Sequence, residues 1–267
     1  MSKILYLDIE TAPNLGWVWG MWEQNVIDFE QITYILCFGY QWEGQKSPKV
    51  IALPDFKTFK KDKTDDTELM KELWELLDEA DVVVAHNGDQ FDIKKINTRF
   101  VVNGLNPPSP YKTVDTKKVA KSKFGFNSNK LDLLANDLGL GRKIAHTGFK
   151  DTWLKCMDGD KTAWKTMKRY NKQDIVLLRD VYLALRPWMT NHPNMNLLNG
   201  EDINCPKCES DKLQRRGYSF TNVNKYQRVQ CQECGGWSRF RLAELNHTGL
   251  ASPCKTYQFY VPVHEIR

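Results

Sequence analysis

The chain begins with a run of apolar and β-favouring positions, "KILYLDIE", in which Leu5, Leu7 and Ile9 alternate with Tyr6, Asp8 and Glu10. A period of two puts Tyr6, Asp8 and Glu10 on one face of a strand and Leu7 and Ile9 on the other. Similar runs predict strands over 3–9, 33–42 ("TYILCFGYQW"), 49–53 and the wholly apolar "DVVVAHN", which has the character of a central strand. A fifth strand is expected over 111–115 ("YKTVD"). Apolar positions at helical spacing predict helices over 67–80, 91–103, 129–138 and 160–187, with "NPPSP" stopping the second. Residues 11–30 read as an irregular, Trp-rich insertion, and 57–66 as a charged loop. Three strands followed by alternating helices and strands predict an α/β sheet covered on both faces.

Toward the C-terminus the pattern changes. Residues 191–204 ("NHPNMNLLNGEDIN") are rich in Asn with Pro and Gly, and read as a linker. Beyond them come four cysteines, more arginine and no strong helical period. The expected organisation is a domain over 1–190, a linker over 191–204 and a small module over 205–267. A length of 267 residues accommodates one large and one small domain. Charged residues at 27% and hydrophobic residues at 41% are an ordinary globular balance, and a net charge of +5 permits a polyanionic partner. No stretch approaches the roughly 20 apolar residues of a membrane span, and no signal segment precedes the first strand. A cytoplasmic location is expected, with the seven cysteines serving as thiols or metal ligands rather than disulfides.

Two carboxylates on one face of a strand repel each other and are costly to bury. Either the strand end is solvated, or a cation lies between Asp8 and Glu10. A cation would call for further carboxylates at the same point. Asp92, in "AHNGDQFD", follows the apolar strand at a helix start, where an acidic residue also suits the helix dipole, as Asp89 would. In "RYNKQD" Tyr170 and Asp174 are four apart on one helical face. Read singly, each segment is more often structure than site.

Taken in order, "LDIET", "AHNGDQFD" and "YNKQD" resemble the three motifs of the DnaQ-like 3′–5′ exonucleases of the ribonuclease H-like fold, in the subgroup whose last motif carries a tyrosine. The likeness spans roughly residues 1–187 and is greatest to proofreading domains of family B polymerases and to stand-alone phage and bacterial relatives. "KLDLLANDLGLGRK" also resembles the segment before their third motif. The resemblance implies a ribonuclease H-like mixed five-stranded sheet flanked by helices. It also implies two Mg²⁺ or Mn²⁺ ions held by Asp8, Glu10, Asp92 and Asp174. Tyr170 would orient the attacking water, and nucleoside 5′-monophosphates would be released. Asn87, with His86, would help position substrate, although a satisfied structural histidine is the default reading of His86. Asp115 could line the cleft or cap a helix over 116–123. His146 could approach a phosphate with Arg142 and Lys143, the alternative being a solvated loop.

"CPKC" at 205–208 and "CQEC" at 231–234 are two C-x₂-C knuckles, spaced for one tetrahedral zinc held by Cys205, Cys208, Cys231 and Cys234. A module this short depends on the metal to fold. Cys37 and Cys156 look like core residues, and Cys254 is unassigned. From 205 to 241, eight basic residues oppose three acidic ones, and the balance stays positive with four thiolates and one zinc counted. Arg215, Arg216 and Arg228 interleave with Tyr226 and Trp237, a mixture suited to backbone tracking and base stacking. A protein-docking scaffold is the alternative for this zinc ribbon. Trp17, with Trp19 and Trp22, either stacks on unpaired bases or caps the sheet edge, the cap being favoured for at least two of the three. The expected partner is nucleic acid, single-stranded or with a free 3′ end, with DNA favoured. An RNA-directed exonuclease and a non-catalytic nucleic-acid-binding protein are the alternatives.

Overall fold

The computed structural model describes residues 2–22, 25–144, 148–199, 204–241 and 259–260. His146 and Cys254 lie outside these residues. The chain divides into two compact units. One comprises Lys3–Lys117 and Ser128–Asp180; the other holds Ser2, Lys118–Asn127 and the described residues from Val181 onward.

In the first unit the strands are β1 (Ile4–Thr11), β2 (Leu15–Trp17), β3 (Asp28–Gln31), β4 (Ile35–Trp42), β5 (Lys49–Ala52), β6 (Val82–Ala85) and β7 (Lys112–Asp115). Five of them form one sheet in the order β5-β4-β1-β6-β7. β1 is antiparallel to β4 and β4 to β5, whereas β1–β6 and β6–β7 are parallel. This is the mixed five-stranded sheet expected of a ribonuclease H-like fold. Along the chain the helices are α1 (Thr67–Glu79), α2 (Asp92–Val102), α3 (Thr116–Lys123), α4 (Leu131–Asp137), α5 (Lys155–Asp158) and α6 (Lys161–Leu185), with residues 118–123 of α3 and 181–185 of α6 belonging to the second unit.

Leu5, Leu7 and Ile9 of β1 share a core with Leu69, Met70, Leu73 and Leu77 of α1 and with Ile96 and Phe100 of α2. Each fully buried aliphatic side chain contributes about 1.5–3 kcal/mol. A buried ion pair locks these elements together. Arg99 Nε and Nη2 donate to the two Asp66 oxygens at 2.7 Å, and Ile35 N–H and Asn103 Nδ2 donate to the same carboxylate at 3.0 and 2.9 Å. Asp66 therefore has its negative charge both paired and hydrogen-bonded, as burial demands.

Residues 11–30, expected to be irregular, contain the two-stranded ribbon β2–β3. A π turn at Lys150–Leu154, in a stretch for which no element was expected, leads into α5, which ends at Gly159 with φ 91°.

The second unit carries helix α7 (Met195–Asn199) and the strands β8 (Leu213–Phe220), β9 (Lys225–Cys231), β10 (Trp237–Arg241) and β11 (Phe259–Tyr260), in the order β11-β10-β9-β8. The segment read as a linker contains α7, and His192, Met195 and Asn196 are buried. Tyr182 Oη and His192 Nε2 are 2.7 Å apart, and Lys207 Nζ donates to the Pro187 carbonyl at 2.6 Å.

Candidate active site

Asp8 and Glu10 project from the face of β1 opposite to Leu7 and Ile9, and α6 crosses beneath them. The crossing is close because β4 has a glycine opposite Asp8. A Cβ on Gly39 would lie 2.5 Å from Asn171 Oδ1 and 2.9 Å from Ile175 Cγ1. With that space kept clear, Asn171 Nδ2 donates to Asp8 Oδ2 at 2.6 Å. One helical turn on, Asp174 completes a group with Asp8 and Glu10 in which one oxygen from each lies within 4.8 Å of the others.

Asp92, in the first turn of α2, is buried, and its Oδ1 accepts the Ile9 N–H at 3.1 Å. That bond fixes it against the backbone between Asp8 and Glu10. It stands outside the three-carboxylate group but close enough to act on it electrostatically. Tyr170 shares a neighbour with Asp174: Lys143 Nζ donates to Tyr170 Oη at 3.2 Å and forms a short ion pair with Asp174. Trp153 donates to Glu10 and packs edge-on against the Tyr170 ring, with centroids 6.0 Å apart.

Electrostatically the site is under strain without a divalent cation. Burial, then repulsion from Asp92, Glu10 and Asp174, raises Asp8 well above the usual carboxylate range. Burial and then Asp174 push Glu10 up to about 8. Burial raises Asp92 to about 6, and raises Asp174 despite the opposing Lys143 ammonium. Burial and then Asp174 raise Tyr170 to about 12. Asp174 Oδ1 is buried with no hydrogen-bond partner among the described residues. A set of converging hard oxygen donors with one buried oxygen unsatisfied fits Mg²⁺ or Mn²⁺.

Other candidates take structural positions. His86 pairs Nδ1 with Thr116 Oγ1 and Nε2 with the Asn129 carbonyl, both at 2.9 Å, and burial lowers it to about 4. Asp115 Oδ1 accepts from Asn87 N at 2.9 Å and Lys117 N at 3.0 Å, so it caps the start of α3 and pins the turn before α2. Asn87 adopts φ 69°, and its side-chain oxygen accepts from Lys117 Nζ at 3.2 Å. Trp17, Trp19 and Trp22 are 65%, 88% and 79% exposed, so they do not cap the sheet edge. Arg142 turns to Asn136, and among the described residues of this loop Lys143 reaches the site.

Sequence reasoning missed Asn171, Gly39, Trp153 and the place of Lys143 beside Asp174. Two signals were available. Asn171 lies three positions before Asp174 and so on the same helical face. An isolated glycine within a strand pattern marks a close approach. For Trp153 and Lys143, on irregular segments, no periodicity applies.

In the second unit the four knuckle cysteines converge within 4.8 Å. Cys205–Cys234 and Cys208–Cys231 sulfurs are each 3.7 Å apart. That is the edge of a tetrahedron with Zn–S bonds of about 2.3 Å, so the residues fit a structural zinc. The knuckles repeat one another: Glu209 N–H bonds to the Cys205 carbonyl and Gly235 N–H to that of Cys231. Glu209 and Gly235 both adopt positive φ, 61° and 74°. Strand register divides the expected nucleic-acid contacts between two faces. Tyr226, Arg228 and Trp237 share a face with Arg239, where Arg228 lies over the Trp237 ring and Arg239 over Tyr226. Arg215 pairs with Val229, on the face that carries the small apolar cluster. Arg216 falls at the irregularity in β8 between Arg215 and Tyr218.

A family model of the RNase H superfamily matches residues 5–186. The fold is similar to part of the family B DNA polymerase from the hyperthermophilic archaeon Pyrobaculum calidifontis. The TM-score is 0.51, with 14% sequence identity over 70% of this chain, which spans 25% of the polymerase's length. At that identity the likeness is one of fold. No curated protein matches the sequence.

Proposed function

The chain belongs to the RNase H superfamily, and on that premise we propose that it is a metal-dependent 3′–5′ exonuclease, acting on nucleic acid with DNA favoured and releasing nucleoside 5′-monophosphates. The observation that best supports the reading is the convergence of Asp8, Glu10 and Asp174 from β1 and α6, with Asp92 buried beside them. Superfamily membership supports nuclease chemistry in general; the polarity, the substrate and the use of two ions are this proposal's own.

Magnesium or manganese ions, when bound, would supply Lewis-acid activation of a water and charge stabilisation at the scissile phosphate. Asp8, Glu10 and Asp174 would hold them, with Asp92 supporting the set through its position against Ile9. Asn171 keeps the Asp8 carboxylate in one rotamer. Trp153 does the same for Glu10. Tyr170, protonated at neutral pH, offers its hydroxyl to orient the attacking water. The Lys143 ammonium offsets part of the negative charge around Asp174. On the zinc ribbon, the face carrying Tyr226, Arg228, Trp237 and Arg239 would track the phosphate backbone and stack on unpaired bases.

The test uses single-stranded DNA and RNA, labelled at the 5′ end, with Mn²⁺. The wild type is expected to shorten the DNA from its 3′ end and release 5′-monophosphates. Asp8→Asn and Asp174→Asn should abolish release while folding and substrate binding persist. Undiminished release by either variant would place the chemistry elsewhere. Faster digestion of the RNA would reassign the substrate.

A further inference from the structure

Between Lys3 and Lys46 the sequence contains no lysine or arginine. Within that stretch the ribbon β2–β3 continues the antiparallel pair β1–β4 beyond the sheet. Its base is held by three hydrogen bonds: Ala12 N–H to the Tyr34 carbonyl at 2.9 Å, Thr33 Oγ1 to the Ala12 carbonyl at 2.7 Å, and Thr33 N–H to Asn14 Oδ1 at 2.6 Å. Farther out, Ile27 N–H donates to the Trp17 carbonyl at 2.8 Å. Val26 packs over Gly16 so closely that a Cβ there would lie 2.4 Å from Val26 Cγ1. The backbone is thus a formed ladder. Two-stranded hairpins are marginal in water unless a face is buried.

This ribbon nevertheless exposes its large apolar side chains. Trp17, Trp19, Met21 and Trp22 are 65–88% accessible, and Phe29, Ile27 and Ile32 are about half accessible. The three tryptophans alone present on the order of 400–600 Å², as large as the biggest functional patch of an ordinary monomer. With Met21, Ile27 and Phe29 added, the apolar area approaches the roughly 800 Å² that one partner contributes to a standard protein interface.

Charge decides what covers it. From Leu15 to Ile32 there are three acidic residues, Glu23, Asp28 and Glu30, and no basic ones. Asp28 and Glu30 are exposed among the apolar side chains. A phosphate backbone drawn along this surface would meet carboxylates and release no counterions to lysine or arginine, the term that dominates nucleic-acid affinity. Two copies of the ribbon meeting in an isologous contact would place carboxylate against carboxylate. A cationic rim on the other side satisfies both features.

We propose that the β2–β3 ribbon is a docking arm for a protein partner whose surface offers an apolar groove rimmed by lysine or arginine. The pre-formed ladder keeps the ordering cost of binding small. The inference is independent of the nuclease reading.

The test uses the full chain and four probes: a helical peptide with leucine on one face and lysine on the other, its glutamate counterpart, oligo(dT), and the protein itself at rising concentration. Fluorescence anisotropy reports peptide and oligonucleotide binding, and sedimentation reports self-association. The leucine–lysine peptide is expected to bind. Its affinity should fall about tenfold or more in Trp19→Ser/Trp22→Ser and in Asp28→Lys/Glu30→Lys. Both variants should keep the wild-type melting temperature and nucleotide release. The glutamate peptide should bind about tenfold more weakly than the lysine one. Equal peptide binding by wild type and variants overturns the proposal. So does loss of oligo(dT) affinity in the tryptophan variant, which would make the arm a base-stacking surface. Self-association abolished by the same substitutions would instead make a second copy the occupant.

Discussion

Replacing Gly39 by alanine adds one methyl group at the closest point between sheet and helix. The backbone there needs no unusual torsion; what the position requires is room. The new carbon would sit 2.5 Å from Asn171 Oδ1, 3.1 Å from Asn171 Cγ and 2.9 Å from Ile175 Cγ1, where ordinary contact begins near 3.4 Å. The buried Asn171 amide would have to retreat by about 1 Å. Its 2.6 Å bond to Asp8 Oδ2 would then open to about 3.6 Å, beyond hydrogen-bond range. Overpacking costs about 1–3 kcal/mol and loss of a bond to a charged group about 1.5–3 kcal/mol. A sum of about 3–5 kcal/mol corresponds to a melting temperature lower by roughly 6–20 °C for a unit of this size. A carboxylate misplaced by about 1 Å would lower nucleotide release by about 100-fold. Thermal melting and Mn²⁺-dependent release on the same preparation measure both effects. The double variant Gly39→Ala/Asn171→Ala should regain part of the stability, because the larger clash is gone, but little of the activity. Gly39→Ala with wild-type melting and wild-type release would refute the account of how α6 positions Asp8.

Three other outcomes are expected. Glu10→Gln removes a buried carboxylate that burial and Asp174 have raised to about 8; without divalent ions it should melt higher by a few degrees while releasing no nucleotide, and a lower melting temperature would argue against the repulsion. His86 is held near 4 by burial, so only the unfolded chain takes up its proton between about pH 6.5 and 4. Its contribution is complete above that window and is lost on acidification through it, so His86→Gln should flatten the fall in urea midpoint between pH 7 and 4.5; an unchanged slope would exclude it. Chelation should release about one zinc per chain and make Cys205, Cys208, Cys231 and Cys234 reactive to thiol reagents, with Cys37 and Cys156 still protected by burial; unreactive knuckle thiols and no released metal would count against the zinc site.

Strands β4 and β6 and the first half of β1 were legible because they bury nearly every side chain, so the sequence shows them as apolar runs, whereas the short, half-exposed β5 and β7 were legible only as brief β-favouring stretches. The long helix was legible for the complementary reason: its core face repeats through Met167, Asn171, Asp174, Ile175 and Leu178, all buried. Strands β2 and β3 escaped notice because they are three and four residues long and mostly exposed, so no alternation develops. The helical turn before Gly159 is too short for a period to emerge. The carboxylates could be read as chemistry because their order matches a known set of motifs. Their supports could not be. Asn171 and Gly39 matter through one contact between elements about 130 positions apart in the chain, and Lys143 reaches Asp174 from a loop whose backbone is anchored by Asp132.

The carboxylate set joins the start of the unit to its end, Asp174 lying 166 positions after Asp8. During vectorial synthesis β1, β4 and β6 are all available well before α6. At about 5–20 residues per second, the interval between Asp8 and Asp174 leaving the ribosomal peptidyl-transferase centre is roughly 8–33 s. Throughout that interval the nascent chain lacks one ligand of the three and the asparagine that steadies another. Whatever hydrolytic capacity the finished protein has is withheld until the last third of the chain is being made, by the order in which the polypeptide is synthesised.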